Sequence, residues 1–145
     1  MSRLPFNVLI VPFRLRAGAL EYAVLHRSDG DKWQFIAGGG EGAEDPVATA
    51  RREAQEEGGL APNAEWIKLD STASIPRSFF SGEHWPQDLY VIPEHAFAVR
   101  VEGDDLRLCS EHDSHEWLDY EAAFARLSWD SNRVALWELR ERLKR

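Results

Sequence analysis

The stretch Gly38–Leu60, GGGEGAEDPVATARREAQEEGGL, constrains this chain more than any other. A run of glycines leads into a short helix. Asp45 is a good N-cap, Pro46 suits the first turn, and Gly58-Gly59 supply a stop, so the pattern predicts a helix over 46–57. At 3.6 residues per turn Val47, Ala50 and Ala54 form a docking face, and Glu53, Glu56 and Glu57 share the neighbouring edge. Like charges three and four residues apart destabilise a helix by a few tenths of a kcal/mol per pair. They also sit near the C-terminus, where the helix dipole disfavours anions. Two explanations fit the spacing alone. The edge is a solvated face, or it is a site for a hard divalent cation such as Mg²⁺ or Mn²⁺.

Around this stretch the chain alternates strands and helices. Residues 6–15 and 20–28, split by Ala17-Gly18-Ala19, read as a β-hairpin, and 32–39 as a short strand running into glycines. Strand-like segments follow at 64–75, 88–101, 105–109 and 115–120. Residues 120–127 and 131–145 read as helices, the last with Val134, Leu136, Trp137, Leu139 and Leu143 as a docking stripe. A mixed sheet with helices on both faces is the simplest layered solution. A chain of 145 residues is the size of one domain, 1–145.

The charge of −8 argues against a dedicated nucleic-acid binder. No apolar run approaches the ~20 residues that span a bilayer. Arg14 and Arg16 argue against reading the apolar N-terminus as a secretion signal. The single cysteine, Cys109, excludes an internal disulfide and suits a reducing cytosol, so a cytoplasmic location is expected. Its apolar flank favours a buried strand residue over a nucleophile.

Gly38, Glu44, Arg52, Glu53, Glu56, Glu57, Gly59 and Leu60 together match G-x5-E-x7-R-E-U-x-E-E-x-G-U, where U is bulky and aliphatic. Seven fixed identities make an accidental match at a given position on the order of one in 10⁸. On these residues the chain resembles the Nudix hydrolase family. Ala54 at a U position and Ala37, where proline is common, are departures that touch no ligand. The resemblance implies an α/β (α+β) fold, an α/β/α sandwich with a mixed sheet between helices. It implies hydrolysis of a phosphoanhydride with Mg²⁺ or Mn²⁺.

Carried over by position, Glu53, Glu56 and Glu57 resemble metal ligands and Glu44 a supporting acidic position. Arg52 resembles the arginine that orients the glutamates. Gly38 and Gly39 would let the backbone approach the substrate, and Gly59 would allow the turn after the helix. The segments flanking the box, including SEHDSHEWLDYEAA and SWDSNRVALWEL, look like the bacterial dATP/dihydroneopterin triphosphate pyrophosphohydrolase subgroup. That likeness places Glu111 near the metal, against an ordinary loop charge, and makes VIPEHAFAV (91–99) a strand lining the cleft. Glu53 and Glu111 are both candidates for the proton acceptor.

Other residues carry two readings each. Trp33 can stack on a base or pterin, or belong to the core or its rim. Arg27 and Arg77 can contact phosphate or form strand-end ion pairs. His112 and His115 read as solvated loop residues. Trp129 and Asn132 either close the pocket wall or cap and dock the last helix. The expected partner is a small nucleotide or pterin triphosphate. Other readings are a dinucleoside polyphosphate hydrolase and a non-catalytic nucleotide-sensing module; the sequence is silent on oligomeric state.

Overall fold

The structure, a computed structural model, describes residues 3–61, 64–80, 83–102 and 106–144. The expected hairpin forms from β1 (Arg3–Arg16) and β2 (Ala19–Arg27), with Arg16 opposite Ala19. Its two-residue turn holds Ala17 at φ 51° and Gly18 at φ 79°. Positive φ at both positions gives the turn the twist of the strands it joins.

The stretch 32–39 divides in two. β3 (Trp33–Gln34) pairs with β2, whereas β4 (Ile36–Glu41) pairs antiparallel with the first half of β1. The chain changes partner at Phe35, whose side chain is buried and whose amide donates to Asn132 Oδ1 at 2.9 Å. That side-chain acceptor satisfies a donor lying between the two strands.

On the other side of β1 lies β6 (Val91–Arg100), parallel to it, with β5 (Trp66–Pro76) antiparallel beyond. β7 (His112–Leu118) adds to β2 and completes a mixed seven-stranded sheet. β7 starts three residues before the stretch expected at 115–120 and stops at Leu118. Asp119 turns out to be a helix cap, accepting the Ala122 amide at 2.9 Å. The strand expected at 105–109 is absent over 106–109, and residue 105 lies outside the described residues. The Arg107 amide donates to the Gly58 carbonyl at 2.9 Å, so this loop braces the end of a helix and pairs with no strand.

Three helices cover the sheet: α1 (Pro46–Gly58), α2 (Tyr120–Arg126) and α3 (Asp130–Leu143). Residues 144 and 145, expected to be helical, fall beyond α3, the last of them outside the described residues. Successive β1 side chains point to opposite faces, which is why the strand is apolar without a break from Val8 to Phe13. Val8 and Ile10 meet Ala50 and Ala54 of α1; Leu9, Val11 and Phe13 belong to the core of Leu136 and Leu139 of α3. The result is an α/β/α sandwich. Val47, Val134 and Trp137, expected to dock, are exposed, and Leu136, Leu139 and Leu143 hold α3 in place.

Candidate active site

Docking α1 through Ala50 and Ala54 turns its acidic edge inward. Glu53 is 8% exposed and Glu57 only 4%, whereas the side chain of Glu56 remains 58% exposed. The solvated-face reading therefore holds for one carboxylate of the three. Burial, followed by a hydrogen bond to Glu53 and the charges of Glu53 and Glu111, holds the Glu57 carboxyl well above the usual carboxylate range. Glu57 Oε1 is buried without a hydrogen-bond partner. His112 Nδ1, at 3.8 Å, is too far to supply one. Contrary to expectation His112 is buried, at the start of β7, and burial lowers its proton affinity.

Arg52 organises the edge. Nη1 donates to Glu53 Oε1 at 3.0 Å and Glu56 Oε2 at 3.1 Å; Nη2 donates to the Gly39 carbonyl at 2.8 Å. Glu44 grips the same guanidinium at 2.7 and 3.0 Å, and also accepts the Glu41 amide and the Thr49 hydroxyl. The Arg52 hydrogen bond, ahead of the opposing effect of burial, leads the set of contacts that hold the Glu44 carboxyl down to about 2. Both its oxygens are engaged by protein donors, so in this structure Glu44 acts on Arg52.

The edge faces a cleft of about 1200 Å³. Gly38, Gly39, Glu53, Glu56 and Glu57 form one end, with Arg27 and Glu111 beside them. Gly38 makes room for the glutamate: a Cβ built there would lie 2.2 Å from Glu53 Cδ. Gly59, at φ 66°, donates to the Gln55 carbonyl at 2.9 Å and ends α1 in the left-handed conformation that glycine favours. Arg27 reaches the cleft already paired with Asp29, at 2.8 and 2.7 Å.

The structure places Trp33 and Arg77 outside this cleft. The Trp33 ring is held by His26, 4.8 Å between centroids, and by Arg126 4.7 Å above it. Arg77 spends its guanidinium on the backbone carbonyls of Trp85, Pro86 and Leu89, fastening the chain between β5 and β6. Trp129 takes the position expected of an aromatic in the wall. It precedes α3, lines the cleft, and donates from Nε1 to Gln34 Oε1 at 3.2 Å. Cys109 also lines the cleft, half-buried on a loop and in no strand. His115 lies in β7, half-buried.

Several lining residues were not singled out from sequence. Arg3 and Asn7 enter from β1, Glu94 from β6, Phe79 from the turn after β5, and Ser131 from α3. Asn7 and Glu94 had a signal: each interrupts an otherwise apolar strand, and both are buried. Arg3 and Phe79 had none, because tertiary contacts alone bring them here.

Among the described residues, no three His, Cys, Asp or Glu side chains converge into a finished metal cage. A hard cation of the Mg²⁺ type does not require one, since it takes one or two carboxylates and keeps waters and substrate phosphates for its other positions. The donor set fits that chemistry. A buried carboxyl with an unpartnered oxygen lies beside a second carboxylate, all hard oxygen, at a cleft wall. A cation there would offset the burial and the crowding with Glu53 that disfavour a charge on Glu57.

Such an arrangement could use a divalent cation to bring an anionic substrate to an acidic surface. The comparisons agree: the NUDIX domain profile matches residues 4–137, and the chain belongs to the NUDIX family. A candidate NUDIX hydrolase from Listeria monocytogenes is 44% identical and superposes with a TM-score of 0.88, covering 97% of this chain and 95% of that one. The E. coli dihydroneopterin triphosphate pyrophosphohydrolase is 26% identical, with a TM-score of 0.76 and 94% of each chain covered. An octanoyltransferase from Myxococcus xanthus is 38% identical over 117 residues, which are 80% of this chain and 29% of that protein. The chain thus spans under a third of that relative's length. The family read from residues 38–60 and the sandwich fold both stand.

Proposed function

We propose that this protein is a Mg²⁺- or Mn²⁺-dependent pyrophosphohydrolase that cleaves a nucleoside or pterin triphosphate and releases pyrophosphate. The observation that carries this reading is the buried Glu53–Glu57 pair, with Glu57 Oε1 left without a hydrogen-bond partner, facing a cleft of substrate size. Glu53, Glu56 and Glu57 would hold the cation, with Glu111 beside them. The bound cation supplies neutralisation of phosphate oxygens and a coordinated water of lowered pKa.

The chain's own residues divide the remaining work. Arg52 aims Glu53 and Glu56, and Glu44 anchors Arg52. Gly38 and Gly39 leave room against that wall for the Glu53 carboxyl and the Arg3 guanidinium, which face the cleft together. Arg27 and Arg3 add positive charge at the same end, which favours developing negative charge on the leaving pyrophosphate. Glu53 or Glu111 accepts the proton of the attacking water. Retention of every box carboxylate argues against a module that senses a nucleotide without cleaving it. The likeness to the E. coli pyrophosphohydrolase supports a triphosphate substrate over a dinucleoside polyphosphate.

The test is a panel of dNTPs, dihydroneopterin triphosphate, diadenosine polyphosphates and nucleotide sugars, assayed with Mg²⁺ and with products identified. Pyrophosphate plus a monophosphate is the expected result. Two nucleotides from a diadenosine substrate, with triphosphates untouched, would overturn it.

A further inference from the structure

Glu94 is the second buried carboxyl in the cleft, and hydrolysis as described above makes no use of it. It is 5% exposed at the middle of β6, opposite Asn7 of β1 on one side and Ala73 of β5 on the other. Oε2 accepts from Asn7 Nδ2 at 2.6 Å; Oε1 is buried and makes no hydrogen bond of full geometry, with the Ser131 hydroxyl as its nearby donor and lone pairs left over for a ligand. Burial raises the affinity of this carboxyl for a proton; Asn7 and Ser131 act against that rise. Asn7 is itself polarised, because its Oδ1 accepts from Arg3 Nη2 at 2.6 Å. A chain of donors running from a guanidinium favours the carboxylate form at its end. A buried acceptor left half-used is costly unless something else donates to it.

The position of Glu94 says what that donor is. Gly39, Asn7, Glu94 and Ala73 form one row across β4, β1, β6 and β5, and all four line the cleft. Strand spacing of about 4.8 Å puts Glu94 roughly 10 Å from Gly39, the reach of a sugar or short side chain between a ring and its phosphates. Phe79 and Trp129, 6.2 Å apart between centroids, are aromatic walls of the same cleft and offer a flat ring a stacking surface.

We propose that Glu94 selects the heterocycle, its carboxylate accepting the paired N–H donors of a 2-amino-4-oxopyrimidine edge. Guanine and pterins share that edge: a ring N–H beside an exocyclic amine. Oε1 takes one donor and the second lone pair of Oε2 takes the other, with Asn7 and Arg3 fixing the carboxylate. Adenine offers no adjacent N–H pair on its ring edge, and hypoxanthine lacks the amine. This assignment rests on the cleft being a triphosphate site, so its test is kept separate from turnover.

The test is equilibrium binding of dGMP, dihydroneopterin monophosphate, dIMP and dAMP, followed by tryptophan fluorescence, with the wild type and Glu94→Gln. A site built to pair a donor rejects the analogue that lacks it. The wild type is expected to bind dGMP, dihydroneopterin monophosphate or both about tenfold or more tightly than dIMP and dAMP. In Glu94→Gln that ratio should collapse, because the introduced amide N–H opposes one of the ligand donors. The dGMP and pterin arms separate the two sources of the edge. Equal binding of dGMP and dIMP by the wild type, a preference for dAMP, no binding of any of the four, or an unchanged ratio in folded Glu94→Gln would each overturn the proposal. The comparison of dGMP with dIMP uses the wild type alone and survives a variant that does not fold. Absence of Mg²⁺-dependent pyrophosphate release would count against the hydrolase reading, and is distinguished from failure of this assignment because the binding ratios are measured without turnover.

Discussion

Gly38 and Glu53 share one space: a Cβ on residue 38 would stand 2.2 Å from the carboxyl carbon of Glu53 and 2.4 Å from its Oε1. The glycine belongs to β4 and the glutamate to α1, so this contact joins strand to helix at the proposed reaction centre. Its backbone does not lie in the left-handed region, so a substitution there acts through space and not through strain.

Gly38→Ala should therefore displace the Glu53 carboxyl while the fold persists. A misplacement of about 1 Å costs on the order of 10²-fold in rate when geometry governs catalysis. We expect kcat/KM to fall by about that factor with the unfolding temperature nearly retained. Wild-type turnover in the alanine variant would show that Glu53 can work from a displaced position.

Arg52→Lys should separate charge from geometry. One ammonium cannot reproduce the fork that reaches Glu44, Glu53, Glu56 and the Gly39 carbonyl together. Changes in residues that orient ligands cost about 10–100-fold in activity or metal affinity. Metal titration of activity is expected to show weaker apparent Mg²⁺ binding in the lysine variant.

Glu57→Gln should leave the metal-free protein as stable as the wild type, or more so. Burial and the neighbouring Glu53 both disfavour a charge on this carboxyl, and an amide of the same shape removes that crowding. A ligand at one hundred times its Kd stabilises a fold by about 2.7 kcal/mol. Thermal unfolding with and without Mg²⁺ should show that gain in the wild type and its loss in the variant.

Much of this site was legible in the residues themselves. The helix bounds to within one residue and Asp45 as its cap follow from spacing. The inward turn of Glu53 and Glu57 does not, because spacing alone fits a solvated edge equally well and only the surrounding residues of the box chose between them. Residues whose position depends on which strands become neighbours were not legible. Trp33 and Arg77 had suitable chemistry but are engaged by His26, Arg126 and the carbonyls before β6. Asn7 and Glu94 meet only because β1 and β6 run parallel, in a register that no local pattern encodes. His112 looked like a loop residue until β7 began three positions early.

Away from the cleft, Glu138 of α3 ties the helix to β5. Burial opposes its charge, yet the Asp70 amide, the Ser71 hydroxyl and amide, and Arg142 hold the carboxyl down to about 2. A carboxyl depressed in the folded state adds stability above its unfolded pKa of about 4.5, and that stability is lost as pH falls toward 2. Glu138→Gln should cost about 1–3 kcal/mol at neutral pH and flatten the acid limb of unfolding between roughly pH 4.5 and 2. Denaturant melts across that range would show it.

The most direct measurement is Mg²⁺-dependent pyrophosphate release from a triphosphate by the wild type and by Glu53→Gln, with unfolding temperatures taken on the same samples. The account predicts metal-dependent turnover in the wild type and a loss of about 10²-fold or more in a Glu53→Gln protein that melts where the wild type does. A folded Glu53→Gln protein that releases pyrophosphate at the wild-type rate would contradict it.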